Sequence, residues 1–198
     1  GAPHVAGIAT RDTEEVRTRM LAELAAILDD RERYFRQRGI DSMDTYRRVR
    51  AAGRYYDGYG DVFLVIDGWC ALRSEFDSLD RHVTTMMSRG LSLGVHLIIA
   101  ANRWMDIRAD AQDIFGSRLE LHTANPKESI INRQGAARIP KGRPGRGIDM
   151  AGHEMMIGLP RADEDPDPTT VSQGVAYTVN KIREHLVAGE GPKLRLLP

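Results

Sequence analysis

Apolar residues recur at steps of three, four or seven along the first part of the chain: Val16, Met20, Leu24, Ile27, Leu28 and Phe35. That period draws one apolar stripe on a long helix and leaves its Arg and Glu residues on the opposite face. Thr10 or Asp12 is the expected N-cap, Glu14 and Glu15 occupy the first turn, and Gly39 ends the helix. Upstream, residues 4–9 (HVAGIA) read as a short strand or the exit from one, and Gly1-Ala2 as a cloning remnant. A second, shorter helix is expected over residues 42–51, capped by Ser42, followed by a Gly- and Tyr-rich loop over residues 53–60.

The pattern then changes. Residues 61–67 (DVFLVID) are a continuous apolar run closed by an aspartate, which predicts a central parallel strand buried on both faces. Phe76, Leu79, Val83, Met86 and Met87 return to helical spacing up to Gly90, and residues 95–101 (VHLIIAA) predict a second buried strand. Residues 107–115 read as a helix. Residues 118–122 (RLELH) alternate as an outer, half-exposed strand does. A Gly/Pro/Arg loop over residues 140–147, a strand near 154–157, an acidic Pro-rich surface segment over 163–170 and a last helix over 171–187 complete the reading. Alternating helices and buried strands predict an α/β layer fold with a mostly parallel sheet. Sites in such folds lie at the carboxyl ends of the strands, where Asp67 and Asn102 fall.

Composition narrows the class. The 198 residues carry 28 Lys+Arg against 28 Asp+Glu, and this zero net charge counts against a dedicated nucleic-acid binder. With 41% hydrophobic residues the chain is neither disordered nor fibrous. The single cysteine, Cys70, cannot form an internal disulfide. No apolar run reaches the roughly 18–20 residues of a membrane span. No secretion signal opens the sequence, so a cytoplasmic setting is expected.

The candidate chemistry sits at the strand ends. Four apolar residues followed by Asp67 is the Walker B pattern, in which the aspartate holds Mg²⁺ beside nucleotide phosphates; an aspartate capping a helix has the same signature. The next position, where many ATPases carry a glutamate that polarises water, is Gly68, which has no base to offer; it is also a natural turn residue. Asn102-Arg103 offers an amide to sense a terminal phosphate, or simply to cap a loop. These 198 residues contain no G-x-x-x-x-G-K-[S/T] loop, the cradle that supplies most phosphate binding. Arg138, Lys141, Arg143 and Arg146 form a basic loop, read as a solvated turn in preference to a phosphate contact. The six histidines show no ligand spacing and no nucleophile elbow is present, so no metal site of the chain's own is expected.

Taken together, PHVAGIATRD (3–12), YGDVFLVIDGW (59–69), SRGLSLGVHLIIAANRWMDIR (88–108), DIFGSRLELH (113–122) and RPGRGIDM (143–150) resemble an FtsK/SpoIIIE-type ATPase domain. More narrowly, the chain resembles the EccC family of actinobacterial type VII (ESX) secretion. The Asp-Gly-Trp form of Walker B is similar to the second of that family's three ATPase domains, where nucleotide is bound but hydrolysis is weak or absent. The resemblance implies a three-layer, RecA-like P-loop NTPase core that is N-terminally truncated here. Residues 1–188 would be a partial ATPase domain without its Walker A strand and helix. Residues 189–198, closing in LRLLP, would be an interdomain linker. Such a truncation predicts an exposed apolar face on the sheet.

The resemblance further implies ATP and Mg²⁺ in the intact parent, held in part by Asp67 and Asn102, with neither cofactor expected on this fragment alone. It implies little hydrolysis at Gly68 and an arginine acting in trans on a neighbouring subunit, for which Arg118 ranks first, then Arg103 and Arg133; a surface ion pair is the plain alternative for each. Expected partners are neighbouring ATPase domains, secretion-complex subunits and small helical secreted substrates, with oligomer contacts, no nucleic acid and no membrane insertion. The expected place is the cytoplasmic face of the cell membrane. A DNA translocase domain of the same superfamily and a partner-binding module that takes no nucleotide are the competing functions.

Overall fold

The computed structural model of the chain describes residues 4–54, 57–76 and 79–185, the side chains of residues 79–81 excepted. The expected linker over 189–198, the end of the expected last helix, Pro3 and Gly1-Ala2 lie outside the described residues, as does the side chain of Leu79. Contacts group the chain into two units. The first is drawn from Gly1–Val65, Ser78–Ile98 and Arg161–Pro198, the second from Ile66–Asp77 and Ile99–Pro160.

In the first unit, α1 (Glu14–Arg38) buries Leu24, Ile27, Leu28 and Phe35, as the apolar period predicts. Its cap is Thr13, in place of the expected Thr10 or Asp12. The Thr13 hydroxyl accepts from Thr10 N–H at 2.8 Å and donates to Thr10 O at 3.0 Å, so both threonines are consumed in a turn that precedes the helix. The expected strand over residues 4–9 is absent; this stretch is irregular. Gly39 stops the helix in the left-handed conformation that a residue without Cβ adopts freely. Ser42 caps α2 (Met43–Ala51), accepting from Thr45 N–H at 3.2 Å. Phe76 is extended and half-buried, so the helix expected from it begins later, as α4 (Leu79–Arg89).

One polar residue of α1 breaks the amphipathic rule. Arg31 lies on the buried side, its side chain fully enclosed. Its Nε donates to Asp57 Oδ2 (2.7 Å), Nη1 to Leu93 O (2.8 Å) and Nη2 to Gly60 O (2.9 Å). The Tyr46 hydroxyl donates to Asp57 Oδ1 at 2.5 Å. Each of the three guanidinium nitrogens thereby has a partner, which offsets the cost of burying the charge. The network fixes the chain just before each of the two parallel strands.

Strands β1 (Val62–Ile66) and β2 (Val95–Ile99) pair in parallel. Val62 N–H donates to Gly94 O at one end and Ala100 N–H to Ile66 O at the other. The expectation of burial on both faces is corrected. Leu64 and Ile66 are buried, but Phe63 is 59% and Val65 65% exposed, and Ile98 also faces out. Among the described residues one face of this strand pair carries no covering layer.

The last segment of the first unit also differs from its reading as plain acidic surface. Arg161, 5% exposed at its side chain, gathers it. The guanidinium donates to both Asp163 carboxylate oxygens, to Asp165 Oδ2 (2.8 Å) and to Asp167 O (2.8 Å). α7 (Val171–His185) follows, and Gly174 packs its Cα against the Arg161 stem.

The second unit carries α3 (Trp69–Glu75), α5 (Ala109–Gln112), α6 (Arg133–Arg138) and an antiparallel sheet in the order β3 (Glu120–Leu121), β4 (Arg146–Ile148), β5 (Glu154–Met156). The register pairs Glu120 with Ile148 and Gly147 with Met155. Ala136, Ile139 and Ile148 form the small core, with Ile131 against it. Gly147 is required by close approach: a Cβ there would strike the Glu120 carbonyl. The helix expected over residues 107–115 shrinks to α5, four residues long. In β3 the alternation is present, but its phase runs against hydropathy: Glu120 is buried while Leu119 and Leu121 are exposed.

Candidate functional site

All five sequence-derived site residues with side-chain chemistry — Asp67, Asn102, Arg103, Arg118 and Arg133 — belong to the second unit, as does Gly68. Asp67 leaves the end of β1 and Asn102 follows the end of β2, so the two parallel strands present them on the same edge.

Neither side chain is spent on local structure. The helix after Asp67 is capped by Gly68, without any side-chain cap bond. Asp67 is exposed, and among the described residues its carboxylate has no hydrogen-bond or ion-pair partner. The turn after Asn102 is capped by Arg103, again with no side-chain bond, and the Asn102 amide is exposed and likewise unengaged. The capping alternatives for both residues therefore have no counterpart in the geometry.

Gly68 has φ +71°, in the left-handed region, and nothing lies within 4 Å of where its Cβ would be. The backbone, not crowding, asks for glycine there. The residue that follows does the anchoring. Trp69 is 5% exposed; its main-chain N–H donates to Ala100 O (3.1 Å) and its indole Nε1 to Asp106 O (3.0 Å). One residue thus clamps the Asp67 turn to both sides of the Asn102 loop.

That loop is held again at its centre. Trp104 Nε1 donates to Glu120 Oε2 (2.9 Å), and Gln112 Nε2 donates to the carbonyls of Trp104 (2.8 Å) and Ile107 (2.7 Å). Arg103 is tied within its own loop, Nη2 donating to the buried Asp106 Oδ1 at 2.9 Å. The carboxylate beside it pushes the guanidinium pKa above its ordinary value, so Arg103 stays charged. For Arg103 the ion-pair alternative is what the structure contains.

Arg118 and Arg133 differ. Arg133 is exposed at the first position of α6, whose cap Asn132 accepts from Gly135 N–H (2.8 Å). Arg118 is half-buried just before β3, and its Nε is enclosed without a partner. The basic loop joins α6 to β4; Lys141, Arg143 and Arg146 are exposed and Arg138 faces Glu154 at 3.6 Å. Among the described residues no group of three or more His, Cys, Asp or Glu is arranged to hold a metal ion, and no helix is long and apolar enough to cross a membrane.

Glu120, Trp104 and Trp69 were not singled out by sequence reasoning. A glutamate between two leucines gives no hint of burial. The two tryptophans do carry a signal, since each stands directly beyond a candidate residue pair: Asp67-Gly68-Trp69 and Asn102-Arg103-Trp104.

Comparison with known proteins gives this geometry a context. Residues 1–164 match the FtsK/SpoIIIE family. An ESX secretion system protein EccC from Thermomonospora curvata is 44% identical over 198 residues, covering 99% of this chain and 15% of the relative. The ESX-4 secretion system protein EccC4 of Mycobacterium tuberculosis is 44% identical over 161 residues, 81% of this chain and 13% of that protein. The chain thus spans about a seventh of the curated relatives it matches first. In structure it superposes on Thermomonospora curvata EccC (ATPases 2 and 3) in complex with a signal sequence peptide. The TM-score is 0.92 at 43% identity, covering all of this chain and 36% of that one. The cytoplasmic domain of the same type VII secretion ATPase matches with a TM-score of 0.94, covering 23% of its length. The neighbours are RecA-like P-loop NTPase domains, and the chain has the α/β fold with a parallel sheet that goes with them. With its family match over most of its length and its relatives among the EccC proteins of ESX secretion, the chain belongs to the FtsK/SpoIIIE family.

Proposed function

We propose that this chain is an ATPase-family domain of a type VII secretion motor that holds nucleotide with little hydrolysis and serves assembly and substrate export. One observation carries the reading. At the carboxyl ends of two neighbouring parallel strands, an unengaged carboxylate (Asp67) and an unengaged amide (Asn102) stand on turns that Trp69 locks together.

An acceptor-only carboxylate suits the water shell of Mg²⁺, and an amide suits a terminal phosphate or the water beside it. This half of a nucleotide site fits the residues present. The phosphate cradle has no counterpart in these 198 residues, so on this reading it comes from outside them. Bound Mg-ATP would supply a concentrated negative charge that can order loops. The chain's own contribution is to hold Asp67 and Asn102 in place. Position 68 provides no proton acceptor for an attacking water, which is why little hydrolysis is proposed. Arg118 and Arg133 are the cations available to a neighbouring subunit, whereas Arg103 is paired within its own loop.

Partners follow from the relatives. A neighbour in complex with a signal sequence peptide supports a secreted substrate and adjoining ATPase domains as partners. The proposed place of action is the cytoplasmic face of the membrane. The zero net charge favours this over DNA translocation.

Calorimetry tests the reading: Mg-ATP is titrated into this chain and into a longer protein that includes a G-x-x-x-x-G-K-[S/T] loop upstream of it. The expected result is binding by the longer protein, lost with Asp67→Ala, and none by the short chain. Binding that survives Asp67→Ala removes Asp67 from the site. Salt-sensitive binding of duplex DNA, with no nucleotide response, favours the translocase instead.

A further inference from the structure

The chain is neutral overall, but its charges are not evenly matched along it. Residues 118–146 carry seven Lys+Arg against two Asp+Glu. Elsewhere arginines sit against carboxylates, as Arg19, Arg36, Arg47, Arg89 and Arg108 do. Lys141, Arg143 and Arg146 do not. All three are exposed, and among the described residues none has an ion-pair or side-chain hydrogen-bond partner.

The loop that carries them is stiff. Pro140 and Pro144 fix φ at two positions. Ile157 N–H donates to Gly145 O at 2.8 Å, and this close approach leaves no room for a Cβ at position 145, where φ is +81°. Met156 and Ile157, both exposed, stand on the strand that pairs beside it. A cationic loop already held in one shape gives up little conformational freedom on meeting an anionic surface.

The same sequence carries a surface of the opposite sign. Asp163, Glu164, Asp165 and Asp167 surround one guanidinium, that of Arg161. Three negative charges remain there, against three positive ones on the basic loop. This segment is held as well: Asp165 accepts from the Thr170 hydroxyl (2.6 Å) and from Asp167 N–H (3.0 Å), and Asp167 accepts from Thr169 N–H (2.8 Å). Glu164 is exposed, and among the described residues its carboxylate has no partner.

We propose that the basic loop over residues 141–146 is a docking surface for a second copy of this chain, which presents its acidic segment over residues 163–167. Exposed ion pairs contribute little each, so the charges choose the partner and its register, while burial of Met156 and Ile157 adds attraction. The contact does not require nucleotide, so it stands or falls apart from the function proposed above.

Sedimentation equilibrium of the 198-residue chain across a dilution series tests this. Reversible self-association is expected. It should weaken as salt rises from about 0.1 M to about 1 M, where the screening length falls from about 10 Å to about 3 Å. Two variants locate the contact. One combines Lys141→Glu with Arg143→Glu. The other combines Glu164→Lys with Asp167→Asn, the asparagine preserving the turn cap. Each alone should associate about tenfold more weakly or worse. An equal mixture should recover association that neither variant has alone, because one brings an unaltered acidic segment and the other an unaltered basic loop. A monomeric wild-type chain, association that either variant leaves unchanged, or a mixture no stronger than its components overturns the proposal. Circular dichroism checks that each variant folds. If one does not, the single substitutions Arg143→Glu and Glu164→Lys, both of exposed side chains, are mixed under the same criterion.

Discussion

Replacing Arg31 by Met removes a guanidinium from a place where water cannot take over its role. Its side chain is fully enclosed and that of Asp57 is 9% exposed. The methionine fills much of the same volume but leaves the Asp57 carboxylate with Tyr46 and a main-chain amide alone, and the Leu93 and Gly60 carbonyls without their donor. Breaking one side of a buried pair costs about 3–5 kcal/mol. An exposed pair such as Arg19–Glu15, whose side chains are 46% and 80% exposed, contributes roughly 0–1 kcal/mol. Arg19→Met is thus the matched control. For a chain of this length each kcal/mol shifts Tm by about 2–4 °C, so Arg31→Met should melt roughly 6–20 °C lower.

The pH dependence carries a second signature. Burial pushes the Asp57 carboxyl up, but the hydrogen bonds from Arg31 and Tyr46 outweigh it and hold the group below its ordinary 3.8. In the native chain its contribution is present above the unfolded pKa and lost as pH falls through the lower folded one. Without Arg31 the burial penalty prevails and the folded pKa rises above the unfolded one. Ionising Asp57 then destabilises the variant, so its deficit should narrow as pH is lowered toward 4. Urea unfolding followed by circular dichroism at pH 7 and pH 4.5 measures both effects. An Arg31→Met midpoint shift no larger than that of Arg19→Met would refute the reasoning, since the network would then be idle.

Other outcomes follow from the same kind of argument. Gly68→Ala and Gly68→Glu should destabilise equally, by about 1–2 kcal/mol, because the cost is a left-handed backbone with open space around it; a clear excess for Glu in urea melts would contradict this. Leu64→Ala should cost about 2–5 kcal/mol and its neighbour Val65→Thr under about 0.5, since only Leu64 faces a core; equal losses would restore the two-sided strand. Asp61 is held at about 2, chiefly by hydrogen bonding from Arg47, then by His96, against burial. Its contribution is present above the ordinary carboxylate value and lost between pH 4 and 2, so Asp61→Asn should flatten the acid limb of the stability curve. An unchanged limb would dismiss the Arg47–Asp61–His96 cluster.

Much of the fold was legible because the relevant signals are local. The α1 stripe, the Gly39 stop, the Ser42 cap and the two strand runs each depend on residues a few positions apart. What was missed depends on partners far along the chain. Arg31 looks like solvent-face charge until Asp57, Gly60 and Leu93 surround it, and RLELH has the right period but the wrong phase because Trp104 and Ser129 bring partners to Glu120. Likewise, DVFLVID cannot report that one face is open, since an apolar run looks the same whether or not a layer covers it. The candidate site was found by position, at the strand ends; its locking by the two tryptophans was not.

That locking bears on why the Asp67 turn has the form it does. A glutamate at position 68 would have to adopt φ near +71°, and it would do so on the turn that delivers Trp69 to the Asp106 carbonyl. Glycine there and tryptophan next to it are one local solution: a free backbone allows the tight turn, and the buried indole fixes where it leads. On the proposed function, position 68 has exchanged the means of activating water for a rigid link between the two strand ends. A site built that way is suited to registering whether nucleotide is present. The consequence is an order of dependence: Trp69→Phe should loosen the Asn102 loop and blunt any nucleotide response without touching a phosphate ligand, whereas Asp67→Ala should abolish nucleotide binding and leave the loop docked.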